Sequence, residues 1–228
     1  MAAQDRKERD RAERHRLIVT TARALAEAEG WEAVTTRKLA ERIEYSQPVL
    51  YSHFRGGKDE IVGAVALEGF AELAAELRAA GPAAGRGTPQ APPGGEPRAV
   101  LAAVATAYLA FAARSPAVYD AMFRLDTPLA FASDDTPAPL REGFEAILGA
   151  VAPLAGDADP GTLTEVVWAT LHGLVTLTRA GRLLPEQAAA RLTVLVDRIG
   201  RENRPHSGWD NSAGNGFGNG PDNGSDNG

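Results

Sequence analysis

Val34 to Lys58 reads V-T-T-R-K-L-A-E-R-I-E-Y-S-Q-P-V-L-Y-S-H-F-R-G-G-K, two short helical patterns separated by one turn. Thr36 suits the N-cap of a first helix whose inward residues are Leu39, Ala40 and Ile43. Glu44-Tyr45-Ser46 turns the chain. Ser46 can cap a second helix with Pro48 in its first turn, where a missing N–H costs nothing. Val49, Leu50 and Phe54 anchor that helix, so Gln47, Pro48, Tyr51 and His53 point outward. Two helices this short cannot bury a core alone. A third must support them, and Arg11 to Ala28 supplies it, with Leu17, Ile18, Thr21, Leu25 and Ala28 at helical spacing. The arrangement is a helix-turn-helix, shaped to enter a DNA major groove.

The order Thr35-x-Arg37-x-Leu39-Ala40, a turn, Ser46, Leu50-Tyr51-x-His53-Phe54, then Gly57-Lys58 before a long helix is similar to the N-terminal domain of the TetR family of one-component bacterial transcriptional regulators. The resemblance covers about a quarter of the chain. It implies a DNA-facing set of Thr35, Thr36, Arg37, Ser46, Gln47, Pro48, Tyr51, His53 and Lys58. Within that set Arg37 and Gln47 are the base readers, since guanidinium matches guanine O6/N7 and carboxamide matches adenine N6/N7. Pro48 and Tyr51 meet thymine methyls or the backbone. Thr35, Thr36, His53 and Lys58 hold phosphates, Lys58 with help from a helix N-terminus. For Tyr51 and His53 a capping or packing role inside the head is the competing expectation.

Two departures from the family pattern stand out. Glu44 occupies a turn position where members usually carry Gly, so the turn is either altered or mildly strained. Arg55-Gly56-Gly57 stands where two residues are usual, which shifts the placement of Lys58.

Net charge is −6, but it is unevenly distributed. Residues 1–58 hold 12 Lys/Arg against 9 Asp/Glu, a local +3, whereas 59–228 hold 12 against 21, a local −9. A basic end on an acidic body confines attraction for phosphate to that end. Mixed-sign runs such as Asp5 to Arg16 also fit a merely solvated helix. There is no cysteine, so disulfides and thiolate metal sites are excluded and a reducing cytosol fits. The longest apolar run, Ala99 to Ala113, is too short for a membrane span. Met1 to Arg16 lacks the apolar core of a signal peptide. The expected protein is cytoplasmic, with no membrane partner.

The remaining pattern is all-α. Asp59 to Ala80 predicts a long helix with Ile61, Val62, Val65, Ala66, Phe70, Leu73 and Leu77 inward. Gly81 to Pro97 reads as a flexible loop. Helices follow over Arg98 to Arg114, Pro116 to about Leu125 and Leu140 to Leu154, with a Pro/Asp-rich loop from Asp126 to Pro139. Gly161 to Ala180 and Pro185 to Arg201 form a final pair, expected to be antiparallel neighbours. From Asn203 the Asn/Gly/Asp/Ser composition predicts disorder. The expected organisation is a helix-turn-helix DNA-binding domain at 11–58, a helical ligand-binding and dimerisation domain at 59–202, and a disordered tail at 203–228.

Trp168-Ala-Thr-Leu-His172-Gly173 resembles the Trp-x-x-x-His-Gly element of one TetR C-terminal subfamily. Helical spacing puts Trp168, His172, Val175 and Thr176 on one face, with Val166, Thr170, Gly173 and Leu177 roughly opposite. One side is expected to line the interior and the other to meet a partner subunit. Tyr108, Phe111, Tyr119, Met122, Phe123, Trp168 and His172 are the candidate ligand pocket, with Tyr108, Tyr119 and His172 as its polar groups. The alternative for each is plain core, and for His172 a hydrogen-bonded core histidine.

None of the four histidines is paired at metal-ligand spacing, and no G-x-S-x-G or phosphate-cradling loop occurs. The reading is therefore a non-enzymatic, cofactor-free regulator, and the family resemblance implies a repressor. Its partners are a double-stranded palindromic operator, a small-molecule effector and a second copy of the chain. A helical interaction protein that has lost operator binding is the alternative, with Glu44 as its support. An enzyme or carrier acting through the C-terminal cavity is the more distant one.

Overall fold

The computed structural model describes residues 2–84, 95–123, 125, 129–130 and 133–202. Among these, every regular element is helical, as the periodicities predict. The expected tail at 203–228, and loop residues 85–94, 124, 126–128 and 131–132, lie outside the described residues.

Helix α1 runs Ala2–Glu29, starting well before the expected Arg11. Opposite charges four apart, Asp5 with Arg9 and Asp10 with Arg14, support the early turns. From Gln4 to Glu13 every residue is exposed. The inward stripe is Ile18, Val19, Ala22, Leu25 and Ala26, all buried. The expected Leu17 is 43% exposed and Ala28 is also exposed, because the buried row is centred one residue further along. A 3-10 turn at Trp31–Ala33 leads to α2 (Thr36–Arg42) and α3 (Gln47–His53). Trp31, Val34, Leu39, Ala40, Leu50 and Phe54 close the head around α1. Fully burying residues such as Leu39, Leu50 or Phe54 stabilises by ~1.5–3 kcal/mol each relative to exposure.

Helix α4 (Lys58–Ala84) carries the same core into the body. All seven residues expected inward, from Ile61 to Leu77, are buried. It extends into the expected loop, and α5 (Gly95–Arg114) begins before that loop was expected to end. Proline explains the α5 edge. Pro82 sits in the last turn of α4, where its missing N–H forfeits one terminal bond, and Pro97 sits in the first turn of α5, where none is needed.

α6 (Pro116–Phe123), α7 (Ala138–Val151) and α8 (Pro160–Arg179) complete the packing around α4 and α5. Asp159 caps α8 by accepting Thr162 N–H at 2.8 Å. α5 has the length and composition to cross a membrane, but its Leu101, Val104, Ala105, Tyr108 and Phe111 are buried in protein. The last helix, α9 (Ala188–Glu202), packs chiefly on α5, whereas α8 packs on α7 and α5. The expected α8–α9 pair is thus not the main contact of either helix. Arg98 fixes α9 to α5 by donating to the Gly200 carbonyl at 2.8 Å.

Candidate nucleic-acid interface and the buried polar chain behind it

The turn between α2 and α3 is strained rather than altered. Glu44 has φ 57°, the one non-glycine in the left-handed region among the described residues. Tyr45 N–H reaches back to the Ala40 carbonyl at 3.0 Å, the six-residue closure that usually ends on glycine. Glu44 therefore adopts the glycine conformation at a steric cost of ~1–2 kcal/mol. The extra residue before α4 is absorbed by Gly57, whose φ of 64° suits glycine.

Leu39, Ala40, Leu50 and Phe54 lock α2 and α3 onto the head, and this fixes what faces out. Gln47 and Pro48 are exposed, and Tyr51 is 47% exposed, so none of them is packed away. Arg37 of α2 has 80% of its side chain accessible and is paired to Glu41 at 2.9 Å. That hydrogen-bonded carboxylate raises the Arg37 pKa above its ordinary value. An exposed i,i+4 pair of this kind is readily exchanged for another acceptor. The cap of α2 is Thr35 rather than the expected Thr36. The helix begins one residue earlier than the sequence implies, and extended Thr35 accepts Lys38 N–H at 3.1 Å. Thr36 is half-buried. Ser46 occupies the cap of α3, yet its hydroxyl makes no capping bond and lies exposed.

His53 and Lys58 are drawn inward. His53 is half-buried, and burial followed by the nearby Arg11, Arg14 and His15 holds its pKa below the usual histidine value. His15 stacks on Phe54 with centroids 4.7 Å apart. The Lys58 ammonium donates to the Trp31 carbonyl at 2.5 Å, which ties the start of α4 to the head. Glu60 accepts Gly56 N–H at 2.8 Å, placing a protein carboxylate at the start of α4 where an anion was expected to dock.

In the body, five of the seven candidate pocket residues are joined by hydrogen bonds and ring contacts. Trp168 Nε1–H donates to Tyr108 Oη at 3.2 Å. Tyr108 and Tyr119 hydroxyls are 2.9 Å apart, and Tyr119 Oη lies 2.7 Å from His172 Nδ1. Indole is donor-only, so the first bond runs from Trp168 to Tyr108, and the His172 tautomer sets the direction of the other two. Burial raises the Tyr108 pKa to about 12 and pushes Tyr119 higher still, so both hydroxyls keep their protons. Phe123 sits against Tyr119, Trp168 and His172 with centroids 4.8, 6.1 and 5.3 Å away. Met122 is buried on the same helix. Phe111 is fully buried on α5, with the Arg114 guanidinium 5.7 Å from its ring centre.

Two links to this cluster escaped the sequence. Phe70 of α4 meets Phe123 edge-on at 5.2 Å, although its spacing marked it only as core. The head also grips α6 directly. Glu27 accepts Ala117 and Val118 N–H, each at 3.1 Å, and Trp31 Nε1–H donates to the Ala117 carbonyl at 2.7 Å. No local signal marks Glu27 or Trp31, because their partners lie about 90 residues away. α6 and α4 cross without space for a methyl group. A Cβ on Gly69 would fall 2.4 Å from Val118 Cγ1 and 2.8 Å from Met122 Sδ.

Two family models match the chain. "Bacterial regulatory proteins, tetR family" matches residues 18–65, and "Tetracyclin repressor-like, C-terminal domain" matches residues 101–199. No curated protein matches it significantly. Among solved structures, a protein of unknown function from Rhodococcus sp. RHA1 has 23% identity and a TM-score of 0.67, over 84% of this chain and 95% of that one. A bacterial regulatory protein in the tetR family from Rhodococcus RHA1 has 19% identity and a TM-score of 0.53, over 81% and 95%. A TetR variant from Acinetobacter baumannii AYE, in complex with minocycline, has 18% identity and a TM-score of 0.52, over 80% and 91%. At these identities the likeness establishes a shared fold.

Proposed function

Because the chain belongs to the TetR family of bacterial regulatory proteins, and is a DNA-binding transcriptional regulator rather than an enzyme, we propose that it is a homodimeric cytoplasmic repressor released from its operator by a small molecule. The observation that carries this reading is the exposed surface of Arg37, Gln47, Pro48 and Tyr51 on a head whose interior is filled. The head, residues 11–58, reads the operator, and 59–202 binds the effector and dimerises. Arg37 and Gln47 take guanine and adenine edges. Thr35 and Ser46 hydroxyls contact phosphates. Lys58 and His53 support the head from behind. The left-handed Glu44 favours a working recognition turn over a head that has lost its operator.

Exposed apolar residues on the outer helices support dimerisation. Val166 and Leu177 of α8 are 53% and 45% exposed, and Val194 of α9 is 59% exposed. Gly173, on the same side of α8, has open space where a Cβ would stand. A second copy related by a two-fold axis buries this patch and sets two heads on one face. The operator is then roughly palindromic, with half-sites one helical turn, ~34–36 Å, apart or a multiple of that.

The effector site is the aromatic cluster of α5, α6 and α8. Its two tyrosine hydroxyls keep their protons, which suits an apolar or amphipathic molecule, as minocycline is bound by a relative of the same fold. An effector weakens DNA binding only by favouring the dimer that holds DNA poorly. Phe70 and the tight α4–α6 crossing carry the change toward the heads.

Footprinting the purified protein on DNA upstream of its own gene tests the reading. Protection of two symmetric half-sites supports it, and absence of protection on any part of that DNA counts against it. For the effector site, His172→Ala that is folded and binds operator should lose its response to a confirmed inducer. Wild-type sensitivity in that variant would return His172 to the core.

A further inference from the structure

Every residue assigned to DNA so far lies at Thr35 or beyond it. We infer that the N-terminal half of α1 is a second DNA contact, which lays Lys7 and Arg11 on backbone phosphates flanking each half-site. This rests on the DNA-binding reading above and extends it to a surface the helix-turn-helix does not include.

Reach comes first. α1 has 28 residues, roughly 42 Å at 1.5 Å per residue. Its far end is tied to the body, where Glu27 holds the start of α6. Nearer its middle it passes the end of the recognition helix, where His15 stacks on Phe54. Glu8, Arg11, Ala12, His15 and His53 line one groove there. Beyond His15 the helix continues to Ala2, a further ~20 Å. That overhang therefore projects away from the body, past the recognition helix, on the side where bound DNA lies.

Charge then selects a face. At 100° per residue, the side of α1 that buries Ile18, Ala22 and Leu25 continues upward through Gln4, Lys7, Glu8, Arg11, Arg14 and His15. It carries three cations against one anion. The opposite side, Asp5, Arg6, Arg9, Asp10, Glu13 and Arg16, carries three of each. The whole positive excess of the overhang thus sits on the side that would look down on DNA. Glu8 is engaged at 3.5 Å by Gln4, and Arg14 Nε donates to the Asp10 carbonyl at 3.0 Å. Lys7 and Arg11 are exposed, with no ion-pair partner among the described residues. Arg11 and Arg14 lie close enough to His53 to depress its protonation, which places their field at the recognition helix. Cations in this position bind phosphate without reading sequence.

The test compares two double variants of the full chain with equal loss of charge: Lys7→Gln with Arg11→Gln, and Arg6→Gln with Arg9→Gln. All four positions are exposed and outside the core, so both variants should melt like the parent. The probe is a duplex recovered by the wild-type chain from a randomised pool, made with about one helical turn of flanking DNA on each side or with none. On the flanked duplex, the first variant should bind more weakly and flatten the slope of log K against log salt by about 2 per protomer. Trimming the flanks should weaken wild type to the level of that variant, and the opposite-face variant should keep most of the wild-type slope. Equal losses from the two faces, an unchanged slope in the first variant, or wild-type indifference to the flanks would each overturn the proposal while leaving the helix-turn-helix reading intact. Failure of the wild-type chain to recover any duplex would overturn both.

Discussion

The outer face of the head and the polar chain in the body use similar side chains under opposite conditions. Arg37, Gln47 and Tyr51 stand in water, and Arg37 pairs with an exposed glutamate on its own helix. Trp168, Tyr108, Tyr119 and His172 instead satisfy one another across three helices, with both tyrosines fully buried. Exposed groups can change partners at little cost, because water substitutes on either side of the exchange. A buried chain cannot, since a hydroxyl that loses its neighbour there has nothing to replace it. A guest entering the body must therefore take over a bond, while DNA meeting the head only replaces solvent and a weak ion pair.

Stability measurements should separate the two regions most sharply. Trp31→Ala, at the junction that ties head to body, should cost ~3–5 kcal/mol in urea unfolding through lost packing. Less than about 1 kcal/mol would mean that α6 is held without it. Tyr119→Phe removes a single oxygen yet deletes two hydrogen bonds, to Tyr108 Oη and to His172 Nδ1, so ~1–3 kcal/mol should go. A neutral result would show that water fills the gap and would erase the contrast with the head.

Arg37→Ala should leave the melting temperature unchanged while weakening the selected operator roughly tenfold and relaxing preference at one base pair. If random duplex is weakened equally, Arg37 is a phosphate contact instead. Lys58→Ala should behave in the reverse sense, with lost stability of about 1 kcal/mol from its bond to the Trp31 carbonyl and little change in salt slope. The smallest effect is a gain. Glu44→Gly relieves the left-handed strain but adds chain entropy when unfolded, for a net stabilisation of ~0.5–1 kcal/mol. A loss on that substitution would mean that the glutamate side chain makes a compensating contact.

These regions also differ in how far the sequence disclosed them. The recognition helices and the inward row of α4 were legible because short-range spacing specifies them, down to Pro48 in the first turn of α3. Errors there are of one residue, as with Thr35 for Thr36 and the stripe on α1. Leu17 looked inward because it falls within an apolar run, but the packed row is set by where α4 and α6 lie. In the body, the aromatic set was legible as a list and its wiring was not. Nothing local ties Trp168 to Tyr108, 60 positions away, or sets Phe70 against Phe123. The grip of Glu27 and Trp31 on α6 depends on the same long-range folding, as does the preference of α9 for α5 over α8.

The placement of the tryptophans makes the molecule its own optical instrument. Of its three, Trp31 is buried at the seam between head and α6, with its indole N–H on a backbone carbonyl. Trp168 closes the polar chain beside Phe123. The third, Trp209, lies outside the described residues and beyond the last helix. Replacing Trp209 with phenylalanine leaves one emitter at each end of the path joining the effector cluster to the head. Intrinsic fluorescence of Trp31→Phe and Trp168→Phe made in that background would then time events at the two ends separately, with no attached dye.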